Sequence, residues 1–401
     1  MRDWRVNRQE QSECSFVLRV CDSLSAFTPD EWGSLSRTDS KGKDYNPFIS
    51  YNFLASLEES DCVSRKTGWL PQHLRLEDAD GRLLGAAPCY LKSHSQGEYV
   101  FDHGWADAFE RAGGSYYPKY QASVPFTPAT GPRLLHDRSL RPEGIRQALA
   151  AGLRQLTEQR GVSSAHVTFL PEAELPALTD MGFLHRMDQQ FHFINDGYGG
   201  YDDFLETLAS RKRKALRKER REALGSGISI DWLTGRDLTE AVWDQFFAFY
   251  MDTGSRKWGR PYLNREFYSL VGERMANDIL LVMAKRDGRY IAGAINFIGS
   301  DRLFGRHWGC IEDHPYLHFE VCYHQAIDFA ISKGLKIVEA GAQGEHKLAR
   351  GYVPVTTHSA HYIVHEGFRR AVEDYLTRER REIVRLNEAL QDHTPFRKTE
   401  A

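Results

Sequence analysis

Asp80-Gly81-Arg82-Leu83-Leu84-Gly85-Ala86-Ala87 and Asp287-Gly288-Arg289-Tyr290-Ile291-Ala292-Gly293-Ala294 are near-copies of one phrase, set about half a chain apart. Each follows an apolar or alternating run, 72–76 and 279–283, and Asp-Gly between such runs predicts a β-hairpin. Each is followed by a second strand-like run and an aromatic/His segment, Tyr99 to Trp105 and Leu303 to Gly309. Each half then has a helix-period segment ending at Gly161 or Gly334, and a further strand, 164–169 and 336–341. The register differs by one residue after each Asp-Gly-Arg, and the dipeptide alone marks only a turn. The shared order of hairpin, strand, helix and strand predicts a duplicated unit. Alternating strands and helices give an α/β (α+β) chain with two mixed sheets flanked by helices.

The chain has 401 residues, enough for two or three domains. Hydrophobic residues make up 41%, which supports packed cores and excludes wholesale disorder. The net charge is −3 against 52 Lys/Arg and 55 Asp/Glu, so nucleic-acid contact would need a local basic patch. The six cysteines form no Cys-x-x-Cys pair, and no His-Glu-x-x-His occurs, so reduced thiols and no metal are expected. No signal-like apolar segment opens the chain, and no apolar run reaches the roughly 20 residues that span a bilayer. A cytoplasmic protein without integral membrane contact is expected.

The expected domains are 15–197, 201–365 and a C-terminal helix within 366–395. The first half holds a strand at 15–20, a helix at 47–60, a helix at 142–160, strands at 164–170 and 187–194, and a short helix between them. Ile145, Leu149, Leu153 and Leu156 form the stripe of the 142–160 helix, and Gly161 fits its C-cap. The stretch 94–133 is aperiodic and aromatic, a pattern shared by sites and packed loops. Asp196 to Gly200 reads as a linker. The second half opens with one long helix, 202–224. Helices at 238–252, 264–277 and 316–333 and a strand at 335–341 follow.

A strand–hairpin–strand–helix–strand unit resembles the GNAT acyltransferase fold, and two in tandem with a basic helix opening the second resemble the FemAB-type aminoacyl transferases. The chain is similar to the FemAB-like predicted N-acyltransferases, also described as peptidoglycan biosynthesis or recognition proteins. The residues that carry this are Asn46-Pro47-Phe48, Gly85 to Pro88, Tyr99 to Trp105, Val124 to Pro128, Gly131-Pro132-Arg133, Ser210 to Lys214, Arg256 to Pro261, Arg306 to Gly309, His318-Phe319-Glu320 and Ala340 to Lys347. They span roughly 45–395. The resemblance implies tandem GNAT-like domains and transfer of an acyl or aminoacyl group to an amine.

The densest chemical segment is Ala340-Gly341-Ala342-Gln343-Gly344-Glu345-His346-Lys347-Leu348-Ala349-Arg350. It follows a predicted strand end, where α/β sites tend to lie. Glycine backbone N–H groups can polarise a carbonyl, and a His or Glu can take the proton that an attacking ammonium must lose. His307, Glu339, Glu345 and His346 are the candidates for proton transfer. The backbone of Gly341 to Gly344 is placed near the carbonyl, and Gln343 is a further candidate for substrate binding. Lys347 and Arg350 are candidate anion holders. His307-Trp308 lies where the second hairpin returns, and Asp102-His103, with Trp105, lies in the matching place of the first repeat. A lone histidine at either place also fits a packed, hydrogen-bonded core residue.

The helix from Arg211 to Arg221 carries eight basic residues against Glu219. Arg211, Lys212, Arg213 and Lys214 lead that run and fit a phosphate ligand, although charge runs also serve as solvated faces. Arg82-Leu83-Leu84-Gly85-Ala86-Ala87 matches a CoA-binding pattern but sits inside a hairpin. Before helix 316–333, Glu312 and Asp313 would repel a pyrophosphate. The expectation is an N-acyltransferase with no tightly bound cofactor, using aminoacyl-tRNA or acyl-CoA as donor, an amine as acceptor, and the inter-domain cleft for positioning. One alternative is an acyl-CoA-dependent N-acetyltransferase that holds CoA with Arg133 and Arg138. The other is a non-catalytic binder of a cell-wall precursor or RNA.

Overall fold

The computed structural model describes residues 4–6, 16–36, 44–225, 227–257, 261–341 and 344–397. The described chain divides into two compact units. One comprises residues within Met1–Asp39, Phe48–Asp188 and Thr357–Val384, and the other residues within Ser40–Pro47, Gln189–Thr356 and Arg385–Ala401. These differ from the consecutive spans 15–197 and 201–365. The reason is strand Tyr352–Ile363, whose residues 358–363 pair antiparallel with Ser164–Leu170, so the chain re-enters the first unit near its end. Helix Glu366–Gln391 continues from that strand, and its Val372 and Leu376 pack with Trp105, Tyr116 and Leu184.

In the first unit, Phe16–Cys21, His73–Glu77, Leu83–Ala87 and Leu135–His136 form an antiparallel sheet. Its hairpin turns at Gly81, φ 81°, where Asp78 accepts from the N–H groups of Asp80 and Arg82. Helix Pro142–Arg160 buries Ile145, Leu149, Leu153 and Leu156 and ends at Gly161 in the left-handed region. A side chain at Gly85 would strike Ile145 at 2.7 Å, so this helix approaches the hairpin closely. Trp69–Pro71, Cys89–Lys92 and Lys119–Ala122 are antiparallel neighbours, and Lys119–Ala122 runs parallel to Ser164–Leu170.

In the second unit, Ile228–Leu233, Ile279–Arg286, Arg289–Ile298 and Arg302–Cys310 form an antiparallel meander. Asp287 and Gly288 both have positive φ, as a two-residue hairpin with right-handed twist requires. Ile337–Glu339 then lies parallel to Arg302–Cys310. Buried Leu280, Val282, Ile291, Leu303, Val338, Ile327 and Phe204 belong to one core.

Two expected helices are interrupted. The helix predicted at 202–224 is Tyr201–Glu206 and Ser210–Leu224. Between them Thr207 and Ala209 exchange backbone hydrogen bonds with Arg397 and Pro395, which replace the helical ladder. The helix predicted at 316–333 starts as Leu317–Phe319, widens to a π-helical turn at Glu320–His324, and closes as Gln325–Ser332. The segment 99–105 is not a returning strand: Asp102 precedes helix His103–Arg111. No helix among the described residues is long and apolar enough to cross a membrane.

Candidate active site

Strand Ile337–Glu339 delivers the chain to the glycine loop, where Gly341 and Gly344 have φ of 77° and 114°. A side chain at Gly344 would meet the His346 ring at 2.4 Å, so glycine there lets the loop fold back over that ring. The following 3-10 helix, Glu345–Arg350, presents His346 on its exposed side and Lys347 inward. His346 Nε2 and the Tyr323 hydroxyl share a hydrogen bond of 3.0 Å. Burial, with the Arg350 and Lys347 cations, holds the imidazole below its ordinary range. It is therefore neutral at neutral pH and able to take a proton.

Lys347 is 2% exposed and its Nζ donates to Gly341 O at 3.0 Å. No carboxylate among the described residues pairs with it, and burial pushes its pKa down to about 8. Glu339, 3% exposed, accepts from Arg302 Nη1 at 2.8 Å through Oε1, while its Oε2 is buried without a hydrogen-bond partner among the described residues. Among the described residues, a buried ammonium without a counter-ion and a buried carboxylate oxygen without a hydrogen-bond partner thus stand at the two ends of one glycine loop. Such groups are costly unless a ligand or water satisfies them. Gln343 and the side chain of Glu345 lie outside the described residues, as do Trp258, Gly259 and Arg260.

Arg350 is not available to a ligand phosphate. Its Nε and Nη2 donate to Glu219 at 2.8 and 2.7 Å, its Nη1 donates to His346 O at 2.7 Å, and its guanidinium lies 3.4 Å from the Phe319 ring centroid. His307 packs edge-on against Tyr250 at 5.0 Å. Burial and the adjacent Arg306 push its pKa down to about 3, which makes it a weak base at neutral pH. Trp308 does reach the site. With His318, 5.2 Å away, and Phe319 it lines a cleft of about 690 Å³, and His318 and Phe319 lie 6.5 and 5.5 Å from the His346 ring. Glu312 at the cleft rim is held by Arg286 and Arg289 at 2.9 and 2.6 Å, so the repulsion expected for a pyrophosphate falls to Asp313.

The first unit keeps Asp102 and Trp105 inside. Asp102 Oδ2 accepts from Tyr116 at 2.7 Å and from Lys119, which also donates to Glu98 at 2.7 Å. Lys119 holds the Asp102 carboxyl well below the usual range against its burial. Trp105 packs edge-on against His361 at 5.0 Å and lies under Arg186. His103 is exposed one residue beyond this network. The aperiodic stretch is a packed polar core here, with Thr127 and Arg133 also buried. Arg133 donates to the carbonyls of Ala129, Gly131 and Thr168, so it cannot hold CoA as the alternative reading required.

Half of the basic run is internally paired. Arg213 and Arg217 meet Glu206, Lys218 meets Glu222, and Arg220 joins Glu320 and Asp328. Arg211, Lys212, Lys214 and Arg221 are exposed and form no ion pair with a described residue. Tyr323 was not legible as a site residue. Helical periodicity does not place Tyr323 under His318, five residues earlier, but a π turn bonds i to i+5 and brings their rings to 5.5 Å. The cue was His318-Phe319-Glu320, which the resemblance singled out.

A sequence profile described as FemAB-like, peptidoglycan biosynthesis/recognition, matches residues 23–398. The chain belongs to the FemAB-like family. No curated protein matches it. Among solved structures, FemX is similar over 86% of this chain and 98% of its own, with 11% identity and a TM-score of 0.52. The C-terminal domain of a putative lysylphosphatidylglycerol synthetase from Agrobacterium fabrum is similar over 86% and 95%, with 10% identity and a TM-score of 0.52. A tandem GNAT protein from the clavulanic acid biosynthesis pathway gives 12% identity, coverage of 87% and 98%, and a TM-score of 0.44. FemX and the synthetase domain share this fold at sequence identities that carry fold alone.

Proposed function

We propose that this FemAB-like protein is a transferase that moves an aminoacyl group from an activated ester to an amine. The observation that carries the reading is a pair of buried groups at the glycine loop: Lys347 Nζ, which has a carbonyl acceptor but no counter-ion among the described residues, and Glu339 Oε2, which has no hydrogen-bond partner among them. An aminoacyl group has an α-ammonium for the carboxylate and a carbonyl for the lysine. A plain acyl group would leave Glu339 Oε2 unanswered, at a cost of roughly 1–3 kcal/mol. The acceptor amine attacks the ester carbonyl, the new N–C bond forms, and the C–O bond to the donor breaks. His346 takes the proton released from the nitrogen, and the leaving alkoxide is protonated in turn. Backbone N–H groups and Lys347 stabilise the oxyanion.

Aminoacyl-tRNA is the donor we favour, with its phosphates on the free cations of helix Ser210–Leu224. The family description favours a cell-wall precursor or peptide amine as acceptor. The test uses labelled mixed aminoacyl-tRNA with such amines. His346→Ala is expected to lose at least about 10²-fold in turnover, the contribution of one acid–base group, with unchanged melting. Glu339→Gln is expected to lose turnover in the folded protein as well, and to melt lower because it breaks the buried pair with Arg302. Full activity in both variants, or turnover with acetyl-CoA instead, would refute the reading. A melting shift with CoA thioesters and none with charged tRNA would do the same.

A further inference from the structure

Glu219 stood out in the sequence only as the single acid in a basic run. In the structure its side chain is nearly buried and accepts from three places at once. Arg350 donates to both carboxylate oxygens at 2.8 and 2.7 Å, and His324 Nε2 lies 2.8 Å from Oε1. Arg350 follows His346 by one turn and donates to the His346 carbonyl, while its guanidinium covers Phe319. His324 ends the π turn that carries Tyr323, the partner of His346. The far nitrogen of His324 meets the Tyr201 hydroxyl at 2.6 Å.

Tyr201, His324 and Glu219 have the chemistry of a proton relay, but the relay leads nowhere. Tyr201 is buried under Arg220 in the unit's core, and burial drives its hydroxyl pKa far above the ordinary range. The arrangement is therefore a clamp. One carboxylate ties the basic helix to the π turn and to the 3-10 helix, and those two segments hold the two partners of the His346–Tyr323 hydrogen bond.

We propose that Glu219 is the positioning residue of this site, fixing His346 through Arg350 and Tyr323 through His324. This deepens the reading of His346 as the proton acceptor and rests on it. Because the bidentate pair has a fixed fork geometry, a neutral or shorter partner lets the 3-10 helix drift. A misplacement of about 1 Å at a reacting group can cost on the order of 10²-fold in rate.

The test is Glu219→Gln, read in two ways. In the transfer assay above, kcat is expected to fall roughly tenfold or more while the acceptor KM is unchanged. By NMR, without any substrate, the His346 ring is expected to titrate at lower pH. The variant removes the one anion that raises its pKa and leaves the Arg350 and Lys347 cations that lower it. His318 and Tyr323 also face this ring and stay in place. A folded Glu219→Gln protein with wild-type kcat and an unmoved His346 titration overturns the proposal. So does a fall in kcat that only tracks lost melting temperature. If Glu219→Gln does not fold, Arg350→Lys keeps the charge and loses the fork. Reduced kcat with a shifted His346 signal then supports the clamp, and wild-type behaviour overturns it. An inactive His346→Ala with an unmoved titration in Glu219→Gln would sink the clamp alone. A fully active His346→Ala with the expected titration shift would sink the function and leave the clamp.

Discussion

Lys347 is the residue whose chemistry is hardest to explain as architecture. A buried ammonium with one carbonyl acceptor and no counter-ion among the described residues lowers stability, and the penalty has a pH signature. Its folded pKa of about 8 lies below the model-peptide value of 10.5, so between these values the unfolded chain binds more protons. Stability therefore rises as pH climbs from about 8 to 10.5, by an amount on the order of 3 kcal/mol. Lys347→Met should remove that rise, melt higher than wild type at pH 7, and lose turnover. A variant that melts lower and keeps full activity would return Lys347 to a structural role. The sequence showed this lysine as a candidate because it stands in the glycine loop. It could not show the absent counter-ion, since that depends on side chains brought from strand Arg302–Cys310 and helix Ser210–Leu224 to pair with Glu339 and Arg350 instead.

Helix Ser210–Leu224 illustrates the same limit at the scale of an element. Its helical character and one-sided charge are visible in the residue order, but the order does not say which cations are spoken for. Arg220 faces Glu320, which is fully buried, so Arg220→Ala would strand that carboxylate at a cost of roughly 3 kcal/mol or more. Replacing Arg211, Lys212, Lys214 or Arg221 with Gln should change stability by less than about 0.5 kcal/mol per substitution. If these four hold donor phosphates, the dependence of log affinity on log salt for tRNA should flatten by about 0.7–0.9 per cation removed. An unchanged slope would move the donor elsewhere. Periodicity read helix Pro142–Arg160 and its cap at Gly161 correctly because one apolar stripe and one left-handed glycine decide both. It missed the breaks at 207–209 and 320–324 because each depends on a distant segment. Backbone at Pro395 and Arg397 replaces one helical ladder, and the other widens where Glu219 grips His324.

For the whole molecule, the mixed α/β fold and the family were legible in the sequence. The return of the chain was not, because residues 358–363 belong by sequence to the second copy and by pairing to the first. That return decides how the protein can be cut. A fragment ending at the 196–200 linker would leave Ser164–Leu170 without its antiparallel neighbour. It would also lose Ile363, Val372 and Leu376, which pack with Trp105, Tyr116 and Leu184. His166 would lose His361, the partner of a buried 2.6 Å hydrogen bond between their Nδ1 atoms. Fully burying one such aliphatic side chain is worth about 1.5–3 kcal/mol, so losing three of them approaches the whole stability of a domain. Residues 15–197 expressed alone should therefore lack a cooperative melt and be rapidly proteolysed. The same fragment supplied with 357–391 on a flexible linker should regain a cooperative melt. A stable, cooperative 15–197 fragment would show instead that the first copy carries its own complete core and that the returning strand only decorates it.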